Sequence, residues 1–440
     1  MSGGLLALMR MAARNVRKHW RHSLGSILSI AVGFVAIGLF SGYLDDLAWR
    51  QMAQLSKKSM MGDIIIEHAD ANDRAHKDDF WGHQLGDKEQ AFLDPWLARE
   101  ASQVKTRARF LDVVGLASTG KSGVVFLGQG HDVEEGARLR GDLHDNAKAG
   151  ATLEPGADDQ VMLGQGLGAA LDCSATETRA AEASDPDTGR PGLACRRARV
   201  QLTATTQTGQ LNVVEPRVVG LTSVGVKEYD ARLLVMSLPA AQRLTDTTAV
   251  SRYHVQLAPG VDAASFAARL EQAARTDGVR LRAQRWQDHR FGDQYTRGMT
   301  LLAMFRSFVV VIVVAIAAMS VLMTMMRAVA ERTREVGMLR SLGFLRREVT
   351  VLFLLEAGLL ALVSCAVGAL ATAALIWACN HAGITYNAGL LSDAIPLAVA
   401  FVPSVWLMAV SFLSTVAMLA TLLPARRAAH MPIPEALGHV

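Results

Sequence analysis

Acidic residues are nearly missing from much of this 440-residue chain. Of 41 Asp and Glu, only Glu331, Glu335, Glu348, Glu356, Asp393 and Glu435 fall outside residues 45–306. Only 13 of the 45 Lys and Arg lie outside it, so 45–306 carries −3 and the remainder +7. Charge is absent altogether from Ser23–Leu44, Ser307–Met326 and Ala394–Ala425, and Thr350–Asn380 holds only Glu356. A soluble amphipathic helix needs a polar residue every third or fourth position, so these stretches are not of that kind. About 20 apolar residues at about 1.5 Å rise cross a hydrocarbon core about 30 Å thick, and each stretch suffices. With 50% hydrophobic and 20% charged residues and mean hydropathy +0.21, disorder and low-complexity or collagen-like structure are excluded. A nucleic-acid partner is excluded as well, since its binder would gather basic residues on a folded domain. Here they flank apolar runs.

The reading is therefore an integral membrane α-helical protein, four transmembrane helices with a large α+β extracytoplasmic domain inserted between helices 1 and 2. The expected spans are 23–45, 301–329, 349–379 and 397–424. Lys and Arg gather on cytoplasmic flanks. Arg10, Arg14, Arg17, Lys18 and Arg21 precede span 1, six Arg occupy 327–348, and Arg426-Arg427 follow span 4, whereas Asp45-Asp46 follow span 1 and 381–396 has no Lys or Arg. This asymmetry predicts a multi-pass inner-membrane protein with both termini cytoplasmic. Residues 1–22 are then a cytoplasmic basic amphipathic helix, 46–300 the outer domain, 330–348 a cytoplasmic loop, 380–396 a short outer loop and 425–440 a cytoplasmic tail. The apolar part of a cleaved signal peptide, about 7–15 residues, is shorter than span 1.

Within 46–300, strand patterns fall at Asp63–Glu67, Val113-Val114, Val124–Leu127, Val200–Thr206, Val213–Leu221 and Tyr253–Leu257, and helical patterns at Ser237–Leu244 and Ala263–Ala274. Residues 174–196, with Asp185-Pro186-Asp187 and Gly189-Arg190-Pro191-Gly192, read as an inserted loop. Cysteine is scarce: of four, Cys173 and Cys195 bracket that loop. An extracytoplasmic location permits a disulfide there, worth about 3 kcal/mol in the chain-entropy model, and two unpaired small residues are the alternative. Cys365 and Cys379 read as small packing residues of span 3.

No nucleophile, base and orienting group can be assembled, so the chain is read as a non-enzyme. Gly115-Leu116-Ala117-Ser118-Thr119-Gly120-Lys121-Ser122 matches the phosphate-loop pattern letter for letter. That chemistry requires a helix to begin at Lys-Ser, but Gly123-Val124-Val125-Phe126-Leu127-Gly128 reads as a strand, which makes the octapeptide a hairpin turn. His68, His76 and His83 stand among Asp70, Asp73, Asp78 and Asp79, without a recognised metal-ligand spacing. No metal is expected. Gly164, Gly166 and Gly168 lack the rest of a dinucleotide fingerprint.

One loop is distinctive: Glu331-Arg332-Thr333-Arg334-Glu335-Val336-Gly337-Met338-Leu339-Arg340-Ser341-Leu342-Gly343-Phe344. Its alternating charges could be a solvated helix with i,i+4 pairs, but apolar residues crowding a short aqueous loop call for a partner surface. This stretch, with Arg346-Arg347-Glu348 and Leu354-Leu355-Glu356-Ala357 beyond it, resembles the signature of the FtsX/MacB-type ABC permease family. Pro424-Ala425-Arg426-Arg427-Ala428-Ala429 and Pro434-Glu435-Ala436-Leu437 resemble that family's C-terminal motif. The resemblance implies a coupling helix docking on a separate cytoplasmic ATPase, with Glu331, Arg334, Glu335, Val336, Met338, Leu339, Arg340, Leu342 and Gly343 as coupling residues. It places ATP and Mg on that partner, with no cofactor in this chain. A second permease copy or paralogue, membrane lipid, and a periplasmic adaptor or acceptor complete the implied partners. Layout is most similar to the lipoprotein-releasing branch, which implies mechanical transmission for extraction or export of a lipoprotein or hydrophobic substrate. The alternative is a signalling permease controlling a cell-wall hydrolase. Glu356, the one carboxylate within a span, is a functional candidate by default, read as structural or coupling and able to snorkel to the inner interface.

Overall fold

The computed structural model describes residues 2–18, 20–48, 56–71, 81–120, 122–143, 146–176, 191–387, 389, 392 and 394–432. The chain forms two compact units. One comprises Met1–Trp49, Gly298–Tyr386 and Pro396–Val440; the other comprises Arg50–Arg297 with Asn387–Ile395.

Among the described residues four helices are long and apolar enough to cross a membrane: Ser23–Asp46, Arg290–Glu331, Arg346–His381 and Pro403–His430. Leu28, Phe308, Leu370 and Leu407 on these helices are exposed, as lipid-facing side chains of a membrane protein should be. With no hydrophobic drive between helices in lipid, association relies on close packing of small residues and on interhelical polar contacts. Phe34, Ala317, Val321, Ala357, Ala361 and Ala417 make up much of this core. A Cβ on Gly33 would come within 2.7 Å of Val313, and one on Gly368 within 2.9 Å of the Ala31 carbonyl. Ser26 hydrogen-bonds Thr324 and donates to the Ser320 carbonyl at 3.1 Å.

The second unit is built on a mixed sheet: β1 (Ile64–His68), β2 (Val104–Ser118), β3 (Gly123–His131), β4 (Ala147–Gly150), β5 (Gln160–Gly164), β8 (Gln201–Thr205), β9 (Leu211–Val214), β10 (Arg217–Thr222), β11 (Leu233–Ser237), β12 (Arg252–Leu257) and β13 (Leu281–Arg285). The order is β13-β1-β12-β2-β3-β11-β5-β10-β4, and β8 pairs with both β2 and β9. Pairing is antiparallel except at β3–β11 and β5–β10. One face packs Ile64, Leu111, Phe126, Leu163, Tyr253 and Phe266 into a continuous core. Helix Ala263–Thr276 supplies Phe266, and the carboxylate of Asp262 caps its start by accepting from the Ser265 amide at 2.8 Å.

Several expectations change in detail. Val213–Leu221 is two strands, because Pro216 has no N–H to give a ladder. The helix that contains the expected span 301–329 begins earlier, at Arg290. The connection expected at 380–396 is more than a short loop: the Ser392 amide donates to Gly225 O at 3.1 Å and its hydroxyl hydrogen-bonds Asp230. Strands β4, β5, β11 and β13 and the helix Asp87–Arg99 escape pattern reading. Cys173 and Cys195 form a cross-strand pair between two short strands, β6 (Cys173–Ala175) and β7 (Leu193–Cys195), and are joined by a disulfide, S–S 2.01 Å. Residues 177–190 of the inserted loop lie outside the described ones.

On the sheet's other face, Phe110 lies between the rings of His131 and His254, at 5.7 and 4.2 Å. Both imidazoles are buried. Burial, with Arg140 nearby, pushes the His131 pKa down to about 3, and burial with Arg252 holds His254 well below the usual range. Both are therefore neutral in the fold, while the unfolded chain protonates them near pH 6.5. The unfolded state binds more protons below that pH, so stability is full above about 6.5 and falls progressively toward pH 3. Hydrogen exchange corrected for intrinsic rates should show β2 and β12 opening more readily at pH 5 than at pH 7.5, by up to about 2 kcal/mol from His131 alone, with His254 acting in the same direction. Equal opening free energies would contradict this.

Candidate coupling site

The stretch 331–344 folds as a short helix, Thr333–Ser341, ended by a glycine. Gly343 has φ +99°, in the region that glycine enters without a Cβ clash. The following amide, Phe344 N–H, returns to Leu339 O at 3.2 Å, which satisfies a terminal carbonyl and reverses the chain. Helix Arg346–His381 then starts at once, with Glu348 accepting from the Leu345 amide at 2.8 Å.

The helix has two unlike faces. Val336 is 6% exposed and packs with Val349, Phe353, Ala425, Ala428 and Ala429, with Phe344 alongside. Arg340 donates to the Ala429 carbonyl at 2.5 Å. This face fastens the helix to the ends of Arg346–His381 and Pro403–His430. Met338, 52% exposed, and Leu342, 74% exposed, point the other way with Arg334 and Leu345. Spacing of 334, 338 and 342 is i, i+4, i+8, one stripe of a helix.

A buried charge cluster holds the start of this helix. Arg332 donates to Glu335 at 2.8 Å and to both carboxylate oxygens of Glu356 at 3.0 and 3.1 Å. Asn15 Nδ2 donates to Glu356 at 2.5 Å. Burial by itself would lower the Arg332 pKa, but Glu356 and Glu335 outweigh it and hold it above the usual arginine value. Asn15, Ser23, Thr324, Arg332 and Glu356 border a cavity of about 240 Å³.

The sequence-stretch residues thus separate by role. Val336, expected among the coupling residues, has its side chain buried in this chain's own core, with the apolar ends of two spans against it. Gly343 is a cap. Arg340 is an internal tie. Leu339 and Glu335 are half-buried, and Glu331 is exposed at the end of Arg290–Glu331. Glu356 is 4% exposed and paired with Arg332. Arg332, Asn15 and Leu345 are the additions. A lone carboxylate in an apolar span demands a cation, but Arg327, Arg332, Arg334, Arg340, Arg346 and Arg347 all lie near it in sequence. Residues 434–437 of the C-terminal motif lie outside the described ones.

Gly115–Ser118 of the octapeptide are the end of β2, and β3 begins right after it at Gly123. Ser118 pairs with Gly123 across the β2–β3 hairpin and Thr119 N–H donates to Ser122 O at 3.2 Å. No helix follows. Lys121 lies outside the described residues.

Residues 307–433, which contain the 331–344 stretch, match the FtsX-like permease C-terminal family. No curated protein matches the chain. Among solved structures, the periplasmic region of MacB from Actinobacillus actinomycetemcomitans is similar at 11% identity and TM-score 0.34, over 55% of this chain and 95% of that one. The extracellular domain of the noncanonic ABC-type transporter YknZ from Gram-positive bacteria is similar at 9% identity and TM-score 0.31, over 51% and 100%.

Proposed function

We propose, on the premise that residues 307–433 belong to the FtsX-like permease family, that this chain is the membrane subunit of an ABC-type transporter. A separate cytoplasmic ATPase, carrying ATP and Mg, drives it. The two-faced helix Thr333–Ser341 is the observation that carries this reading. Its inner face is fixed to two spans, and its outer stripe of Met338 and Leu342, with exposed Leu345 just beyond the turn, offers apolar surface to a partner. A push on the stripe therefore moves the spans rather than bending a loose loop. Arg332 passes the same displacement to Glu356 and Asn15, which ties in the N-terminal helix Ser2–Lys18. The outer domain, 46–300, receives the motion and acts on a lipoprotein or other hydrophobic substrate at the membrane surface, together with a second permease copy or paralogue.

The reading requires a topology. A cysteine introduced at Asp142, which is exposed on the second unit, should react with an impermeant reagent added from outside, and one at Arg334 should not. The reverse pattern would reject the proposal. Lys121→Ala should leave ATP hydrolysis by the assembled complex unchanged, because the octapeptide is a strand end and its hairpin turn on the outer domain. Loss of hydrolysis with the domain still folded would show a phosphate site there. In proteoliposomes holding permease and ATPase, ATP should drive release of a lipidated protein; activation of a cell-wall hydrolase with no release would assign the signalling branch instead.

A further inference from the structure

His68 ends β1, and Asp70 sits in the turn that follows. His83 lies fifteen residues beyond His68, just before Leu85 bridges Val250. Spacing along the chain hides any relation between them, yet the fold brings them together. The rings of His68 and His83 stand 5.4 Å apart, and one ligand atom from each of His68, Asp70 and His83 lies within 4.8 Å of the other two. Asp70 divides its oxygens: Oδ1 accepts from Arg280 at 2.8 Å, and Oδ2 faces His68 Nδ1 at 3.9 Å. An ion pair on the far oxygen fixes a ligating carboxylate in the manner of an outer-shell partner. All three residues are of intermediate exposure, with the His83 ring nitrogens themselves buried.

We propose that His68, Asp70 and His83 bind a zinc-type divalent ion on the outer domain. Two imidazoles and one carboxylate are a donor set for Zn, Co, Ni or Cu and not for Ca or Mg, which take oxygen ligands. Zinc–ligand distances of about 2.0–2.2 Å place tetrahedral ligands about 3.4 Å apart, so the three side chains must close inward by about 1 Å. Rotation about their χ angles supplies that. The fourth position is left to water. Bound metal would clasp the end of β1 to the segment preceding helix Asp87–Arg99. His76, Asp78 and Asp79, between them in the chain, lie outside the described residues.

The test uses the full chain in detergent, its affinity tag removed and its metal stripped with a chelator. Titration calorimetry with zinc chloride and cobalt absorption should each report one strong site per chain. H68A and H83A should weaken it at least ~100-fold and D70N about tenfold. H83Q, which keeps the side-chain bulk, guards against a folding defect; zinc binding equal to wild type in that variant, or in H68A/H83A, would overturn the proposal. A wild-type protein with no strong site would also overturn it. Zinc should slow hydrogen exchange at residues 81–85 of the wild type, a readout needing no variant, and binding without that protection would place the ion elsewhere.

Discussion

Replacing Met338 and Leu342 together by Asp should abolish co-purification of the permease with its ATPase while leaving the membrane unit folded. Both side chains are largely exposed on the outer stripe of helix Thr333–Ser341, so the free permease loses little by the change. In a docked complex each buried apolar side chain contributes about 1.5–3 kcal/mol before ordering costs, and two carboxylates in the same contact add a desolvation penalty. Association should weaken by at least ~10² and toward ~10⁴-fold, from about 3–6 kcal/mol at 1.4 kcal/mol per decade. Val336→Asp serves as the contrast. Its side chain is packed against Val349, Phe353 and Ala425, so that variant should lower thermal stability first and binding only as a consequence. Arg334→Ala should act more mildly, as a charge on an exposed rim. Undiminished pull-down by the Met338→Asp/Leu342→Asp protein would reject the coupling-helix assignment.

Glu356→Ala should be the most destabilising single change in the membrane unit. Removing one member of a buried pair strands the other charge, at about 3–5 kcal/mol, and Arg332 would keep only Glu335. Arg332→Ala should be similarly costly, because Glu356 would keep only Asn15. Removing both should cost much less than the sum, since no uncompensated ion is left buried. Thermal denaturation of the four proteins in nanodiscs of one lipid composition closes the cycle. Additive losses would show that the 3.0 Å contact carries no energy. The same variants test transmission: with the stripe intact they should still bind ATPase and hydrolyse ATP, but release of substrate per ATP should fall. Normal release with Glu356→Gln would reduce this cluster to packing.

Much of this molecule is legible without coordinates because membrane insertion depends on local sums. A run such as Ser307–Met326 has no charge to place in hydrocarbon, whatever else the chain does, and the apolar crowding in 331–344 stands out against an aqueous loop. Hairpin 115–122 was readable for the same local reason: Val124-Val125-Phe126 cannot start the helix that a phosphate loop needs. What neighbours do to one another is not a local sum. Nothing in the order of residues distinguishes Val336 from Met338, yet two spans meet one and leave the other bare. Six arginines stand near Glu356 in sequence, and helix packing selects Arg332 and adds Asn15 from the far end of the chain. His68 and His83 converge because β1 and the Leu85–Val250 bridge hold their flanks, a long-range contact that no spacing rule encodes. The sequence by itself determined which segments are long and apolar enough to cross a membrane and which short loop is crowded with apolar residues; tertiary packing decided which side chains of that loop face outward and which charges and imidazoles are paired.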